Sequence, residues 1–288
     1  MEFEMPLLIS SSPEGLPHIE AVAISSGDGE MVGTLYRPPV AASKRALLVL
    51  TALPQYRPGP HCQYVRLARL ASEQGTTTLL FDLPGTGDSM NSSEAPIESI
   101  RAAVDFITKS LPHVSEIVLA GLCDGANLAV AYANTDKRIT HLALSNPWLE
   151  SEADAASVKI RGYYRTRFFG REFWRSLANG QVNLLRSALA FARTTLAATK
   201  RLFGSDEGQP ERIAAVLNSF PGRILMILSG QDPTGQLGQE MFGSRRSWQR
   251  LKSRDNLTLV VMPNADHTFS SKTDEEALLH RMTAFLDF

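Results

Sequence analysis

The heptapeptide GLCDGAN, residues 121–127, places a cysteine between two glycines at a spacing suited to nucleophilic chemistry. Residues 121–125 have the G-x-S-x-G spacing of a nucleophile elbow, with Cys123 where serine usually stands. Glycines suit this turn, because the strand before a nucleophile and the helix after it pass too close for side chains. The alternative is a small buried core cysteine. The apolar run before Cys123, the helix-like stretch after it and both glycines favour the catalytic interpretation.

The acid and base of a triad follow such a nucleophile in the chain order nucleophile, acid, histidine. The segment ILMILSGQDPTG places Asp232 just after one strand-like run, and TLVVMPNADHTF places His267 just after the next. Asp266 is the rival acid, but a residue adjacent to the base usually directs its side chain away from the ring. For His267 the alternative is a surface-loop histidine. We predict that Cys123 attacks an acyl carbon, His267 transfers the proton and Asp232 orients the imidazole.

The oxyanion that forms during acyl transfer needs two backbone N–H donors. One is expected from Asp124, the residue after the nucleophile. The other is expected from the loop after ALLVLTA, where Pro54 has no N–H. Leu53 is the first choice for this second donor and Ala52 the second choice.

The sequence pattern predicts that these residues are positioned by the strands and helices of an α/β fold. HIEAVAISS and EMVGTLYRPP, joined by the turn-forming GDG, predict an antiparallel β-hairpin. Six later runs are short and almost continuously apolar, which is typical of strands buried on both faces of a parallel sheet. They are ALLVLTA, TTTLLFDLP, EIVLAG, HLALSNP, ILMILSG and TLVVMPN. Helical segments such as YVRLARLASEQG and PIESIRAAVDFITKSL alternate with them, so we predict a mostly parallel sheet flanked by helices.

The alternation stops between about residues 149 and 220. Long helical stretches there, such as GQVNLLRSALAFARTTLAATKRLFG, contain no obvious strand. We predict a helical lid insertion at 149–220, above a core formed by residues 1–148 and 221–288.

The predicted lid is basic. Between residues 159 and 201 there are ten Lys or Arg residues against one acid, Glu172, in a chain of net charge −1. Guanidinium groups suit an anionic partner, such as an acyl carrier protein or the phosphates of coenzyme A. The alternatives are solvated helix faces whose arginine stems cover apolar surface, and aromatic residues that form the lid core. The candidate substrate- or carrier-binding residues are Arg161, Tyr163, Arg165, Arg167 and Trp174.

Composition excludes several function classes. A net charge of −1 gives no overall attraction to nucleic acid, and two cysteines cannot build a disulfide framework. The N-terminal MEFEMPLLIS is acidic where a signal peptide is basic, and no run approaches the roughly 20 apolar residues that span a bilayer. We expect a cytoplasmic protein with two free thiols, no nucleic-acid partner and no membrane span.

No metal or cofactor is expected. His, Cys, Asp and Glu show no metal-site spacing. The Gly-rich FDLPGTGDS, residues 81–89, lacks the Lys-Ser/Thr of a P-loop and the G-x-G-x-x-G spacing of a dinucleotide site. We interpret it as a structural turn in which Asp82 and Asp88 bond backbone amides.

Four segments together carry a resemblance to a known family. They are PQYRPGPH at 54–61, FDLPGTGDS at 81–89, GLCDGA at 121–126 and YYRTRFFGREFWRSL at 163–177. From about residue 20 to the C-terminus the chain resembles the α/β-hydrolase superfamily and, within it, the exosortase A system-associated hydrolases. The resemblance implies a core sheet with a lid, a triad of Cys123, Asp232 and His267, and an acyl-hydrolase activity.

Three functions remain open on these residues. The first is a cysteine-dependent thioesterase or esterase. The second is an acyltransferase that moves an acyl group from a carrier to an amine, hydroxyl or thiol, because a thioester acyl-enzyme reacts with all three. The third is a non-catalytic binding protein on a retained fold.

Overall fold

An eight-stranded sheet organises the protein in a computed structural model that describes residues 15–39, 42–51, 55–149 and 208–287. The strands follow the predicted apolar runs closely. They are β1 (His18–Ser26), β2 (Gly29–Arg37), β3 (Arg45–Leu50), β4 (Thr77–Phe81), β5 (Glu116–Leu122), β6 (Ile139–Ser145), β7 (Arg223–Ser229) and β8 (Leu257–Met262).

The sheet order is β1-β2-β4-β3-β5-β6-β7-β8. Strands β1 and β2 form the predicted hairpin, in register from His18 opposite Arg37 to Ser26 opposite Gly29. Strand β2 is also antiparallel to β4, whereas all the other pairs are parallel. The predicted fold class, a mostly parallel sheet flanked by helices, is confirmed.

Helices connect and flank the parallel strands. In the described ranges they are α1 (Gln63–Glu73), α2 (Pro96–Ser110), α3 (Asp124–Ala133), α4 (Gln209–Ser219), α5 (Pro233–Ser244), α6 (Arg246–Lys252) and α7 (Lys272–Leu286), with a short 3-10 helix at Pro60–Cys62 before α1. Their ends follow ordinary capping chemistry. Pro96 occupies the first turn of α2, and the Ser271 hydroxyl caps α7 by accepting from the Asp274 N–H at 3.1 Å.

The central strands are buried on both faces, which explains their continuous apolar sequences. Every residue of β4 is buried, and β3, β5 and β7 are buried after their first residue. Strand β8 lies at the edge and is only partly covered, with Val261 43% exposed. Because the strands from β3 to β8 are parallel, their carboxyl ends share one edge of the sheet. The loops after β5, β6, β7 and β8 therefore begin at that edge.

The chain divides into one compact unit of Met1–Trp148 with Ile213–Phe288, and a second unit of Leu149–Arg212. Most of the predicted lid, residues 150–207, lies outside the described residues. The predicted division into core and lid therefore stays a prediction. Within the described ranges, no helix is both long and apolar enough to cross a membrane.

Candidate active site

Cys123 lies at the junction of β5 and α3, as the elbow motif predicts. Its backbone adopts φ 58° and ψ −121°, a conformation that residues with a Cβ rarely take, and its side chain is half-buried. The Cys123 N–H donates to the carbonyl of Ser145 at the end of β6, at 3.0 Å. A strained residue persists only where its surroundings hold it, and this bond to the neighbouring strand is part of that support.

The two glycines of the elbow have a steric reason. A Cβ on Gly121 would lie 2.3 Å from the carbonyl carbon of Gly125, and a Cβ on Gly125 would lie 2.2 Å from the carbonyl oxygen of Leu50. Both contacts are with backbone atoms, which cannot move aside as a flexible side chain can. The tight passage of α3 over β3 and β5 therefore requires glycine at both positions.

We expect Gly125→Ala to lower the free energy of unfolding by about 3 kcal/mol, because the new methyl group overlaps the backbone of β3. Gly243→Ala is the matched control, since Gly243 lies in α5 and a methyl group added there would meet no atom within 4 Å. That control should change the free energy of unfolding by less than about 1 kcal/mol, toward stability. Urea unfolding of the wild type and both variants makes the comparison, and equal effects would contradict the steric argument.

His267 stands in the loop after β8, between the predicted acid and the predicted nucleophile. Its Nδ1 donates to Asp232 Oδ2 at 2.9 Å, and its ring also hydrogen-bonds the side chain of Cys123. These two bonds, that to Asp232 first, raise the pKa of His267 from its usual 6.5 to about 10. The raised pKa means that the imidazole is held as an imidazolium at neutral pH.

Asp232 follows β7 and serves at the same time as the N-cap of α5. It is only 6% exposed, and its Oδ2 accepts from the Gly235 N–H at 3.0 Å as well as from His267. The cap holds the carboxylate in one orientation, which in turn orients the imidazole. A carboxylate in this position stabilises the imidazolium form of the ring.

Asp266, the rival acid, has other partners. Its Oδ1 accepts from the backbone N–H groups of Thr268 at 3.1 Å and Ser270 at 2.9 Å, and the Ser270 hydroxyl donates to its Oδ2. These bonds, with the Ser270 hydroxyl first, lower the pKa of the Asp266 carboxyl. The carboxylate therefore closes the turn that carries His267 and does not contact the imidazole Nδ1.

The other predicted site residues divide into two groups. Asp124 is the first residue of α3, where the N–H groups lack an acceptor within the helix, as an oxyanion donor requires. The remaining predictions lie outside the described residues. They are the oxyanion candidates Ala52 and Leu53, and the lid residues Arg161, Tyr163, Arg165, Arg167 and Trp174.

Two further polar residues, Asn146 and Ser229, lie at this edge of the sheet, and the sequence analysis did not select them. Asn146 follows β6 and is completely buried, with a left-handed φ of 41°. Its side chain bonds both Ser229, the last residue of β7, and the backbone carbonyl of His267. The available signal was their position, since each is a polar residue at the carboxyl end of a parallel strand.

The loop at 81–89 has the structural role predicted for it, with one difference. Asp82 is buried and accepts from the backbone N–H groups of Arg57 at 2.7 Å and Asp88 at 3.1 Å, as expected. It also pairs with the Arg57 guanidinium at 2.5 Å. Asp88 instead accepts from side chains, the Tyr56 hydroxyl at 2.7 Å and Arg57 Nη1 at 2.8 Å. The reason is that Arg57 reaches both carboxylates and joins this loop to the segment before α1.

No group of three His, Cys, Asp or Glu side chains within the described ranges is arranged to hold a metal ion. Cys62 and Cys123 are both free thiols, Cys62 exposed and Cys123 half-buried.

Comparison with known proteins agrees with the fold. The profile described as "Alpha/beta hydrolase family" matches residues 54–279, so the chain belongs to the alpha/beta hydrolase family. The class of protein is thus an enzyme that acts on ester bonds. No curated protein matches the sequence.

Solved structures share the fold at low sequence identity. An esterase from Pyrococcus furiosus has a TM-score of 0.64 and 16% identity, with 100% of this chain and 98% of the esterase covered. A dienelactone hydrolase from Anabaena variabilis has a TM-score of 0.60 and 15% identity, covering 94% and 98% of the two chains. A serine hydrolase without lid from Xanthomonas campestris has a TM-score of 0.57 and 17% identity, covering 93% and 94%. At these identities the likeness concerns the fold alone.

Proposed function

We propose that the protein is a cysteine-dependent acyl hydrolase that cleaves thioesters and esters through a covalent acyl-enzyme. The observation that carries the proposal is the position of His267, bonded to Asp232 on one side and to the strained Cys123 on the other. An ordered nucleophile, base and acid at the carboxyl edge of a parallel sheet is the arrangement that acyl transfer needs.

In the acylation step, the Cys123 thiolate attacks the acyl carbon of the substrate and forms a tetrahedral oxyanion. The backbone N–H of Asp124, at the first position of α3, is the proposed first donor to this oxygen, and Leu53 is the proposed second donor. When the intermediate collapses, the bond to the leaving thiol or alcohol breaks. His267, held as an imidazolium, donates its proton to the leaving group. The products are the free thiol or alcohol and an acyl-cysteine thioester.

In the deacylation step, the neutral imidazole of His267 accepts a proton from water, and the resulting hydroxide attacks the acyl-cysteine. A second tetrahedral oxyanion collapses and breaks the carbon–sulfur bond. The Cys123 thiolate and the protonated His267 are regenerated, and a carboxylic acid is released. Asp232 stabilises the imidazolium each time it forms.

Acyl transfer is the second candidate function, and the identity of the nucleophile favours it. An acyl-cysteine is a thioester, so amines, hydroxyls and other thiols can take the place of water in the second step. One of the structurally similar proteins is a serine hydrolase, whereas this chain has cysteine at the elbow. A cysteine forms a thioester where a serine forms an ester, which favours transfer to acceptors other than water. Presentation of the acyl group on a carrier protein or coenzyme A is part of the same proposal, as are membership of the exosortase A system-associated hydrolases and a cytoplasmic role in exopolysaccharide or natural-product biosynthesis.

Intact mass spectrometry tests the proposal directly. The wild type is incubated with a panel of acyl-CoA and acyl-carrier-protein donors, and the acyl mass gain is followed with and without added amines, alcohols and thiols. Cys62→Ala is the matched control, because Cys62 is the other free thiol of the chain and is exposed. We expect an adduct on the wild type and on Cys62→Ala, and none on Cys123→Ala.

The fate of the adduct separates the two candidate functions. Loss of the acyl mass in water alone supports the hydrolase, and loss that requires an added nucleophile supports the transferase. Absence of an adduct with every donor, together with absence of ester turnover, would favour the non-catalytic binding protein.

A further inference from the structure

We propose that Asn146 is a positioning residue for His267, which holds the base at a set distance from the Cys123 elbow. This role rests on the proposed function, in which His267 serves Cys123. The side chains of Asn146 and Ser229 support this role. They form a buried hydrogen-bond network at the carboxyl ends of β6 and β7, and neither residue belongs to the proposed triad.

The Asn146 amide is bonded on both of its polar atoms. Nδ2 donates to the backbone carbonyl of His267 at 3.0 Å and to the Ser229 hydroxyl at 2.7 Å. Oδ1 accepts from the Ser229 N–H at 2.8 Å. Because Asn146 has no exposed surface, each of these groups is shielded from water and would be costly to leave unpaired.

Ser229 extends the network to the residue before the base. Its hydroxyl donates to the backbone carbonyl of Asp266 at 2.7 Å, while Asn146 bonds the carbonyl of His267. Two consecutive carbonyls of the β8 loop are therefore tied to the ends of β6 and β7. Such ties restrict the loop backbone and with it the position of the imidazole.

The same strand end also holds the nucleophile. Ser145, the residue directly before Asn146, accepts the hydrogen bond from the Cys123 N–H at 3.0 Å. The Asn146 N–H in turn bonds the Ile227 carbonyl of β7 at 2.9 Å. Two adjacent residues of one strand end thus fix the backbone of Cys123 and the backbone of His267. A shift of one relative to the other requires this junction to deform.

The left-handed backbone of Asn146 offers a way to separate conformation from hydrogen bonding. Glycine adopts φ 41° without strain, and asparagine is among the few other residues that tolerate it. If only the backbone turn mattered, glycine would serve as well. The buried, doubly bonded amide is the feature that glycine lacks.

The experiment uses the full chain in a Cys62→Ser background, because the exposed Cys62 thiol would also react with iodoacetamide. Asn146→Gly removes the amide and keeps the turn. We expect kcat for an acyl thioester to fall about 30-fold with KM within about twofold of the parent, since a misplaced base slows chemistry more than binding. We expect alkylation of Cys123 at pH 6 to slow about tenfold, because the imidazolium is no longer held against the sulfur.

Asn218→Ala is the matched control for general loss of packing. The Asn218 amide also bridges two backbone segments, donating to Ala214 O at 2.8 Å in α4 and to Ser247 O at 2.9 Å in α6. It should melt at a temperature comparable to that of Asn146→Gly, with kcat and alkylation near those of the parent. Equal losses in both variants, or an unchanged folded Asn146→Gly, would overturn the positioning role.

The two proposals can fail separately. If the parent turns over no acyl donor, the proposed function fails, but the alkylation rates still compare the position of His267 in the two proteins. Slower alkylation in Asn146→Gly then supports the positioning role of Asn146, and equal rates overturn it.

Asn146→Asp is a further test variant, because its side chain has the same shape but cannot donate a hydrogen bond to the His267 carbonyl. It should resemble Asn146→Gly in kcat, and parent-like turnover would contradict the hydrogen-bond argument.

Discussion

Cys123→Ala is expected to lower kcat/KM for an acyl thioester by about 10⁴-fold or more. In the proposed function the variant loses the atom that would form the acyl-enzyme, while the elbow, His267 and Asp232 keep their positions. Only the residual contribution of substrate binding and oxyanion stabilisation should remain. Steady-state thioesterase assays with the acyl donor that labels the wild type provide the measurement.

Two variants control this prediction. Cys62→Ala removes the other free thiol and should leave kcat/KM unchanged, because Cys62 lies at the exposed start of α1. Cys123→Ser restores a nucleophile at the same strained position, and it should recover part of the activity toward oxygen esters. Full activity in Cys123→Ala would remove the basis of the proposed function, whatever the other variants show.

Asp232→Asn is expected to lower kcat by about 10³-fold, because an amide cannot stabilise the imidazolium or select its tautomer. The same change removes the largest cause of the raised pKa of His267, which should fall from about 10 toward its usual 6.5. NMR titration of the imidazole measures that pKa without any substrate. Asp266→Asn is the matched control, since Asp266 is the carboxylate next to His267 that does not contact Nδ1.

The raised pKa of His267 also sets the sign of a stability effect. A histidine whose pKa is higher in the folded state stabilises the fold fully below the unfolded pKa of 6.5, where both states are protonated. That contribution is lost as the pH rises from 6.5 to about 10, because over this range the unfolded state has released its proton while the folded state still holds one, so that folding must take up a proton. We expect the free energy of unfolding to fall more steeply over this range in the wild type than in Asp232→Asn. An identical pH dependence in the two proteins would show that Asp232 is not the main partner of the imidazolium.

Much of the fold was predictable because its signals are local. The six apolar runs became β3 to β8, and the GDG cluster became the turn of the β1–β2 hairpin, since each pattern reflects burial or turn geometry within a few residues. The elbow was readable for the same reason. Gly121 and Gly125 lie within four residues of each other, and the close contact that requires the first of them is with the backbone of the second.

The partners of individual side chains were harder to predict. Asp232 and Asp266 both lie near His267 in the predicted sheet, and only the direction of each side chain decides which one bonds Nδ1. Asp88 accepts hydrogen bonds from side chains and not from the predicted backbone amides. The reason is that the Arg57 side chain reaches it from a segment 31 residues away in the chain.

The sequence by itself determined the class of fold, the elbow and the chain order of the candidate triad, because strand patterns, tight turns and their order along a parallel sheet are encoded in local spacing. Only the tertiary structure decided which carboxylate faces the imidazole and that Asn146 joins the strand end behind Cys123 to the loop of His267. The physical reason is that a hydrogen bond between residues 35 or 121 positions apart depends on strand register and side-chain direction, neither of which leaves a pattern in neighbouring residues.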